Sequence, residues 1–193
     1  SMRSKRLATC RALQSVDEAV TSLFAELKAS GRLANTYIVY TSDNSYSFGE
    51  HRLTGKGHLY DESTHVPLLI RGPGVVPGTH TRLTSNVDLA PTLAQVGGAK
   101  APDGFFSGAS FVTDLKSATP VPGPSSILLV GCRTQAGPAS NCGGDRDFMG
   151  MAWGLRSKAY LYVVYAQTGE TQLFDLVKDP NETTNVTADP AYA

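Results

Sequence analysis

Apolar side chains at Leu13, Val16, Val20, Leu23 and Leu27 recur at three- and four-residue steps. That spacing lays one stripe along a helix over residues 12–30, with Gly31 as a natural stop. The segment Thr36–Thr41 is β-branched and aromatic without alternation, so it reads as a strand buried on both faces, as at the centre of an α/β sheet. Helix followed by buried strand predicts a βαβ layer, whose earlier strands would precede residue 1. Residues 43–65 are polar, glycine-bearing and without period, and a second short strand is expected over Val66–Arg71, ended by Gly72-Pro-Gly74. Residues 88–97 predict a helix with Asp88 as N-cap, Pro91 in the first turn and Gly97 as stop.

From 98 to 125 glycine, proline, serine and alanine dominate, and a loop is expected. Strands are expected at Ser126–Val130, Met151–Arg156, Ala159–Tyr165 and Gln172–Leu176, the last two joined by a turn at Thr168-Gly169. Together they predict an antiparallel sheet. The polar tail after Asp179-Pro180 is expected to wrap the surface.

Composition narrows the picture. The chain has 193 residues, 41% of them hydrophobic, enough for a sizeable core. Seventeen basic residues balance seventeen acidic ones, which argues against a nucleic-acid binder. No apolar run approaches the ~18 residues of a membrane span. Cys132 and Cys142 bracket a short loop and suit a small disulfide in an oxidising compartment, with Cys10 left over. Sequons at Asn181 and Asn185 point weakly toward a secreted or periplasmic protein. Ser1-Met2 reads as a cloning remnant and no signal peptide follows, so the sequence is expected to start within a longer protein or to have lost its targeting segment.

The chemistry concentrates between Tyr40 and Tyr60. A strand delivers Asp43 and Asn44 at its carboxyl end, the edge where open α/β sheets bind ligands. A carboxylate beside an amide oxygen suits a hard cation such as calcium or magnesium. The same pair after a strand is more often an Asx turn or helix cap. Lys56 follows thirteen residues after Asp43 and could hold an anionic oxygen of a substrate, while His51 and His58 are available as proton donors or anion contacts.

The wording of the whole stretch resembles the sulfatase family of the alkaline-phosphatase superfamily. The matching residues are Thr41-Ser-Asp-Asn-Ser45, Gly49-Glu-His51, Gly55-Lys56, Tyr60-Asp61-Glu62, Val66-Pro67-Leu68 and Arg71-Gly-Pro-Gly74. Further on, Asn86-Val-Asp-Leu-Ala-Pro-Thr-Leu93 and Leu173-Phe-Asp-Leu-Val-Lys-Asp-Pro-Asn-Glu182 resemble the family's later helix and closing strand, and Leu13-Gln-Ser-Val-Asp17 its preceding helix. The resemblance implies a sulfatase/alkaline-phosphatase-like α/β fold. Residues 3–97 would end the large metal-binding sheet domain, and residues 98–193 would form a small antiparallel-sheet subdomain with a packed helix. It implies a sulfuric-ester hydrolase acting on an aryl or sugar sulfate. Asp43 and Asn44 would ligate a divalent metal, usually calcium. Lys56 would bind and stabilise the sulfate, His58 would contact substrate, and His51 would sit catalytically at the pocket rim. His65 stands where the family often has arginine and reads as structural. Ser45 replaces the usual glycine and would be strained if that position needs positive φ.

The family's nucleophile is a formylglycine made within a Cys/Ser-x-Pro-x-Arg motif, with an Asp-Asp metal pair nearby, and neither precedes Asp43 here. Cys142-Gly-Gly-Asp-Arg146 keeps the Cys-to-Arg spacing but has Gly144 in place of proline and lies after the metal pair, so it reads as a disulfide loop. The expectation is a carboxy-terminal part of such an enzyme, inactive alone, whose partners are a sulfated small molecule or glycan and the amino-terminal portion carrying the formylglycine. A phosphatase or phosphonate hydrolase of the same superfamily, or a non-catalytic glycan-binding module, are the alternatives. Nucleic acid and a membrane span are not expected.

Overall fold

The computed structural model describes residues 2–132, 151–166 and 168–192. Helix α1 runs Met2–Ala29, ten residues further back than the apolar stripe requires. Lys5, Arg6, Ala8, Arg11 and Ala12 are strong helix formers and carry it there. Arg6 ties this early part to Glu50 and lies over the Phe48 ring. The helix ends as expected at Gly31, which takes φ 70°, while Arg32 N–H returns to the Leu27 carbonyl at 2.9 Å.

Strand β1 (Ile38–Tyr40) is shorter than Thr36–Thr41, and its residues are half-buried rather than enclosed on both faces. It pairs antiparallel with β4 (Leu69–Arg71), Val39 opposite Ile70, and that is its one strand neighbour among the described residues. Between these strands lie a small hairpin of β2 (Ser47–Phe48) and β3 (Thr54–Gly55), and the single turn of α2 (Asp61–Thr64). The apolar stripe of α1 is not packed: Leu13, Val16 and Leu23 are 49%, 41% and 49% exposed. They face β1 and β4 across an open cavity of about 1730 Å³.

Helix α3 (Leu89–Val96) begins as the sequence predicts, with Pro91 buried in its first turn. Asp88 holds its N-cap position as expected but makes no side-chain cap bond there; its carboxylate instead turns back to accept from Ser85 N–H at 3.0 Å, completing with Ser85 a capping box on the preceding 3₁₀ turn. Asp88 also accepts from Ala109 N–H at 2.8 Å, which ties the following loop to the helix start. After the short α4 (Val112–Leu115), four antiparallel strands form a meander: β5 (Ser126–Cys132), β6 (Met151–Ser157), β7 (Tyr160–Tyr165) and β8 (Thr171–Asp175). The four strands fall where the sequence predicts them.

One face of the sheet holds the core. Leu59, Ala152, Leu161, Val163 and Phe174 are buried together there, with Leu129, Tyr60 and Leu176 at the edge. Leu59 comes from the polar stretch after β3 and reaches the sheet because glycines stand under it. A Cβ on Gly131 would meet Gly57 O at 2.7 Å and Leu59 at 2.8 Å. The other face leaves Leu128, Val130, Leu155 and Trp153 exposed. Cys10 is a free, exposed thiol. The suggested Cys132–Cys142 bridge and the Cys142–Arg146 loop lie outside the described residues.

Candidate functional site

After β1 the chain turns at Ser42–Ser45. Ser42 Oγ donates to the Asn44 carbonyl at 2.7 Å, and Ser45 N–H donates to the Ser63 carbonyl at 3.1 Å. Ser45 keeps negative φ, so the strain expected of a serine there does not arise. Asn86, at the start of the turn into α3, donates through Nδ2 to the carbonyls of Ser42 (3.2 Å) and Asp43 (3.0 Å). The Asp43-Asn44 turn is thereby fixed to the N-terminal end of a capped helix.

The Asx-turn alternative can be weighed on this geometry. Among the described residues, no backbone N–H reaches the Asp43 carboxylate. Its one side-chain contact is a long 3.5 Å approach of Ser42 Oγ. Asp43 is exposed, Asn44 is half-buried, and both line the large cavity. Two oxygen donors left available beside each other fit a hard divalent cation.

His58 also lines this cavity, as do Gly57, His65 and Arg82. Lys56 is exposed and is not among the lining residues, although Gly57 beside it is. Gly55 and Gly57 take φ 101° and 94°, a backbone that places Lys56 at the tip of a tight reversal. The structure thus brings Asp43, Asn44 and His58 to one cavity, while Lys56 is exposed and next in sequence to the lining residue Gly57.

His51 goes elsewhere. Its ring stacks on Tyr60 with centroids 3.9 Å apart and 8° between planes, and its Nε2 lies 3.2 Å from Glu62 Oε2. Its neighbour Glu50 is kept well below the usual carboxylate range by its own backbone N–H, with Phe48 N–H and Arg6 adding. Tyr60 in turn meets the Phe174 ring edge-on and hydrogen-bonds Gln172 at 3.1 Å.

Next to His51 lies a group that motif reading alone does not assemble. Arg156 grips Asp61 with two bonds of 3.0 and 2.9 Å. Glu182, only 2% exposed, accepts from Asp61 N–H at 3.0 Å through Oε2, while its Oε1 is buried without a partner. Burial pushes the Glu182 carboxyl up to about 7. The Asp61 and Glu62 charges push the same way, against the Asp61 N–H bond and Arg156. Glu182 sits in a polar tail with no local periodicity, and its 121-residue separation from Asp61 hides the contact from any local reading.

Comparison with known proteins places these residues in context. The family model described as Sulfatase matches residues 2–99. N-acetylglucosamine-6-sulfatase of Bos taurus is 41% identical over 119 residues, covering 61% of this chain and 21% of that protein. An extracellular sulfatase homolog of Drosophila melanogaster is 47% identical over 103 residues, covering 52% and 9%. Choline-sulfatase of Rhizobium meliloti is 30% identical over 192 residues, covering 98% and 34%. The chain therefore spans about a third or less of the length of these relatives. A protein solved with its substrate D-glucosamine-2-N,6-O-disulfate superposes with TM-score 0.81 at 27% identity, over 94% of this chain and 36% of that one. The phosphonate monoester hydrolase of Agrobacterium radiobacter superposes at 0.72 and 30% identity, over 92% and 36%.

Proposed function

The chain belongs to the sulfatase family, and from that premise we propose that it serves a sulfuric-ester hydrolase acting on a sulfated sugar. The observation that carries this is the exposed Asp43-Asn44 pair at the carboxyl end of β1, held by Asn86 and open to the cavity that His58 also lines. The solved neighbour with a disulfated glucosamine supports a sulfated glycan over an aryl sulfate. The neighbouring phosphonate hydrolase keeps a phosphonate ester as the second reading. A relative named as extracellular supports secretion.

In this reading Asp43 and Asn44 hold a divalent cation, calcium by its oxygen ligands, which when bound neutralises charge on the ester oxygens. Lys56 holds a second sulfate oxygen through its ammonium group, stabilising charge that grows as the ester bond breaks. His58 contacts the substrate from the cavity wall. His51 acts by position. Its stack on Tyr60 and its contact with Glu62 fix the loop between them, on which Lys56 rides. The 193 residues contain no Cys- or Ser-x-Pro-x-Arg motif. The formylglycine nucleophile is then carried by other residues of the enzyme, and this chain binds without turning over.

The test is an NMR titration of the purified chain with D-glucosamine 6-sulfate in calcium, run beside an aryl-sulfate hydrolysis assay. Saturable shifts at Asn44, Gly57 and His58, lost in Lys56→Ala and Asp43→Ala, are expected, with no hydrolysis. Binding that survives both substitutions would overturn the residue roles. Tighter binding of a phosphonate monoester would favour the second reading, and turnover by the chain alone would place the nucleophile within it.

A further inference from the structure

We propose that His51, Glu62 and Glu182 form a second cation site, distinct from Asp43-Asn44, taking a zinc-like divalent ion through one imidazole nitrogen and two carboxylate oxygens. The three residues come from three separate segments, and one ligand atom from each lies within 4.8 Å of the others. His51 Nε2 and Glu62 Oε2 are already 3.2 Å apart. That is close to the ~3.3 Å edge of a tetrahedron with metal bonds of about 2.0–2.1 Å. Bringing the Glu182 oxygen onto the same ion requires its approach by up to about 1.5 Å.

A cluster of this kind is usually solvated carboxylates, and Glu182 distinguishes it. Its carboxylate is 2% exposed, and Oε1 has no hydrogen-bond partner although it is buried. Such an orphaned acceptor costs free energy unless something satisfies it. Oε2 is meanwhile held by Asp61 N–H, the sort of outer contact that orients a ligating carboxylate. The nearby cation does not answer the need, because Arg156 is engaged by the Asp61 carboxylate through Nε and Nη2 and by the Ser157 carbonyl through Nη1. The stacked His51 ring is fixed against Tyr60, so its nitrogen is presented without further ordering. One imidazole with two carboxylates suits zinc, cobalt or manganese better than calcium, which prefers six to eight oxygens.

The experiment titrates the EDTA-stripped chain with Zn²⁺ by calorimetry and with Co²⁺ by visible absorption. One equivalent is expected to bind, with Co²⁺ bands of low-coordinate intensity. His51→Ala and Glu62→Gln should each weaken binding at least tenfold, while Asp43→Ala should leave it unchanged. Melting in EDTA checks that each variant still folds, and the partly exposed Glu62→Gln serves if His51→Ala does not. No saturable Zn²⁺ binding would overturn the proposal. So would binding that is insensitive to Glu62→Gln, or that is lost instead in His80→Ala, whose ring pairs with Asp114. Loss in Asp43→Ala would show that the ion sits at the first site.

Discussion

Removing the Asp88 carboxylate should loosen the candidate site from behind. Asp88 is buried and accepts two backbone bonds, from Ser85 N–H at 3.0 Å and from Ala109 N–H at 2.8 Å. Hydrogen bonds to a charged acceptor contribute about 1.5–3 kcal/mol each. Both donors lose their partner in Asp88→Ala, so the expected loss is about 3–5 kcal/mol. Asp88→Asn keeps one carbonyl oxygen but turns an NH₂ toward the other donor, and should lose about half of that. For a chain of this size, 1 kcal/mol moves Tm by roughly 2–4 °C. Urea unfolding followed by circular dichroism measures the difference, and an unchanged m-value would confirm that stability alone moved. Amide exchange at Asp43 and Asn44 should also quicken, because Asn86 hangs from the same turn. A loss below 1 kcal/mol in Asp88→Ala, or Asn no milder than Ala, would refute the reasoning.

Other outcomes follow from single contacts. Glu182 is protonated more readily folded than unfolded, so its contribution is fully present below about pH 4.5 and is lost as pH rises through about 7. In EDTA the chain should lose up to about 3 kcal/mol across that window, and Glu182→Gln should flatten the loss; parallel wild-type and variant curves in urea would contradict this. Leu161→Ala, at a fully buried position, should cost about 2–5 kcal/mol by the same unfolding assay. Gly131→Ala places a methyl 2.7 Å from Gly57 O. It should cost about 1–3 kcal/mol and weaken sulfate binding at Lys56, with unchanged binding as the opposing result.

How much of this was legible follows from which interactions are local. The meander of β5 to β8 is legible because short strand-forming runs and the Thr168-Gly169 turn are properties of adjacent residues. The start of α3 and its N-cap Asp88 are legible because they are local, whereas the capping box that Asp88 closes with Ser85 on the preceding 3₁₀ turn is not spelled by the helix pattern. The strand over Thr36–Thr41 reads as enclosed because an unbroken apolar run does not say what covers it, and among the described residues β1 has one paired neighbour and faces a cavity. Asp43 and Asn44 stood out through their place after a strand, and Lys56 through its motif. Glu182 closes the Leu173–Glu182 motif, but its contact with Asp61 is made only by folding.

Those long-range joins bear on the site itself. Tyr60 bonds Gln172, Asp61 bonds Arg156, and Glu182 caps the Asp61 N–H, all within the stretch just after Lys56. Leu59 in the same stretch is buried in the core of the four-stranded sheet. The segment from Gly57 to Glu62 is therefore mounted on the carboxy-terminal sheet, while Asp43 and Asn44 are mounted on β1 and α3. Lys56 lies between the two mountings, at a reversal with positive-φ glycines on both sides. Its distance from the Asp43-Asn44 pair is then set by how the sheet sits against β1. Substitutions that shift β5 or β6 should alter sulfate binding without touching a ligand. Arg156→Ala is the sharpest case: it frees Asp61, leaves the Asp43 turn intact, and should weaken sulfate binding while sparing cation binding at Asp43. Equal losses of both would mean that the two mountings move as one body.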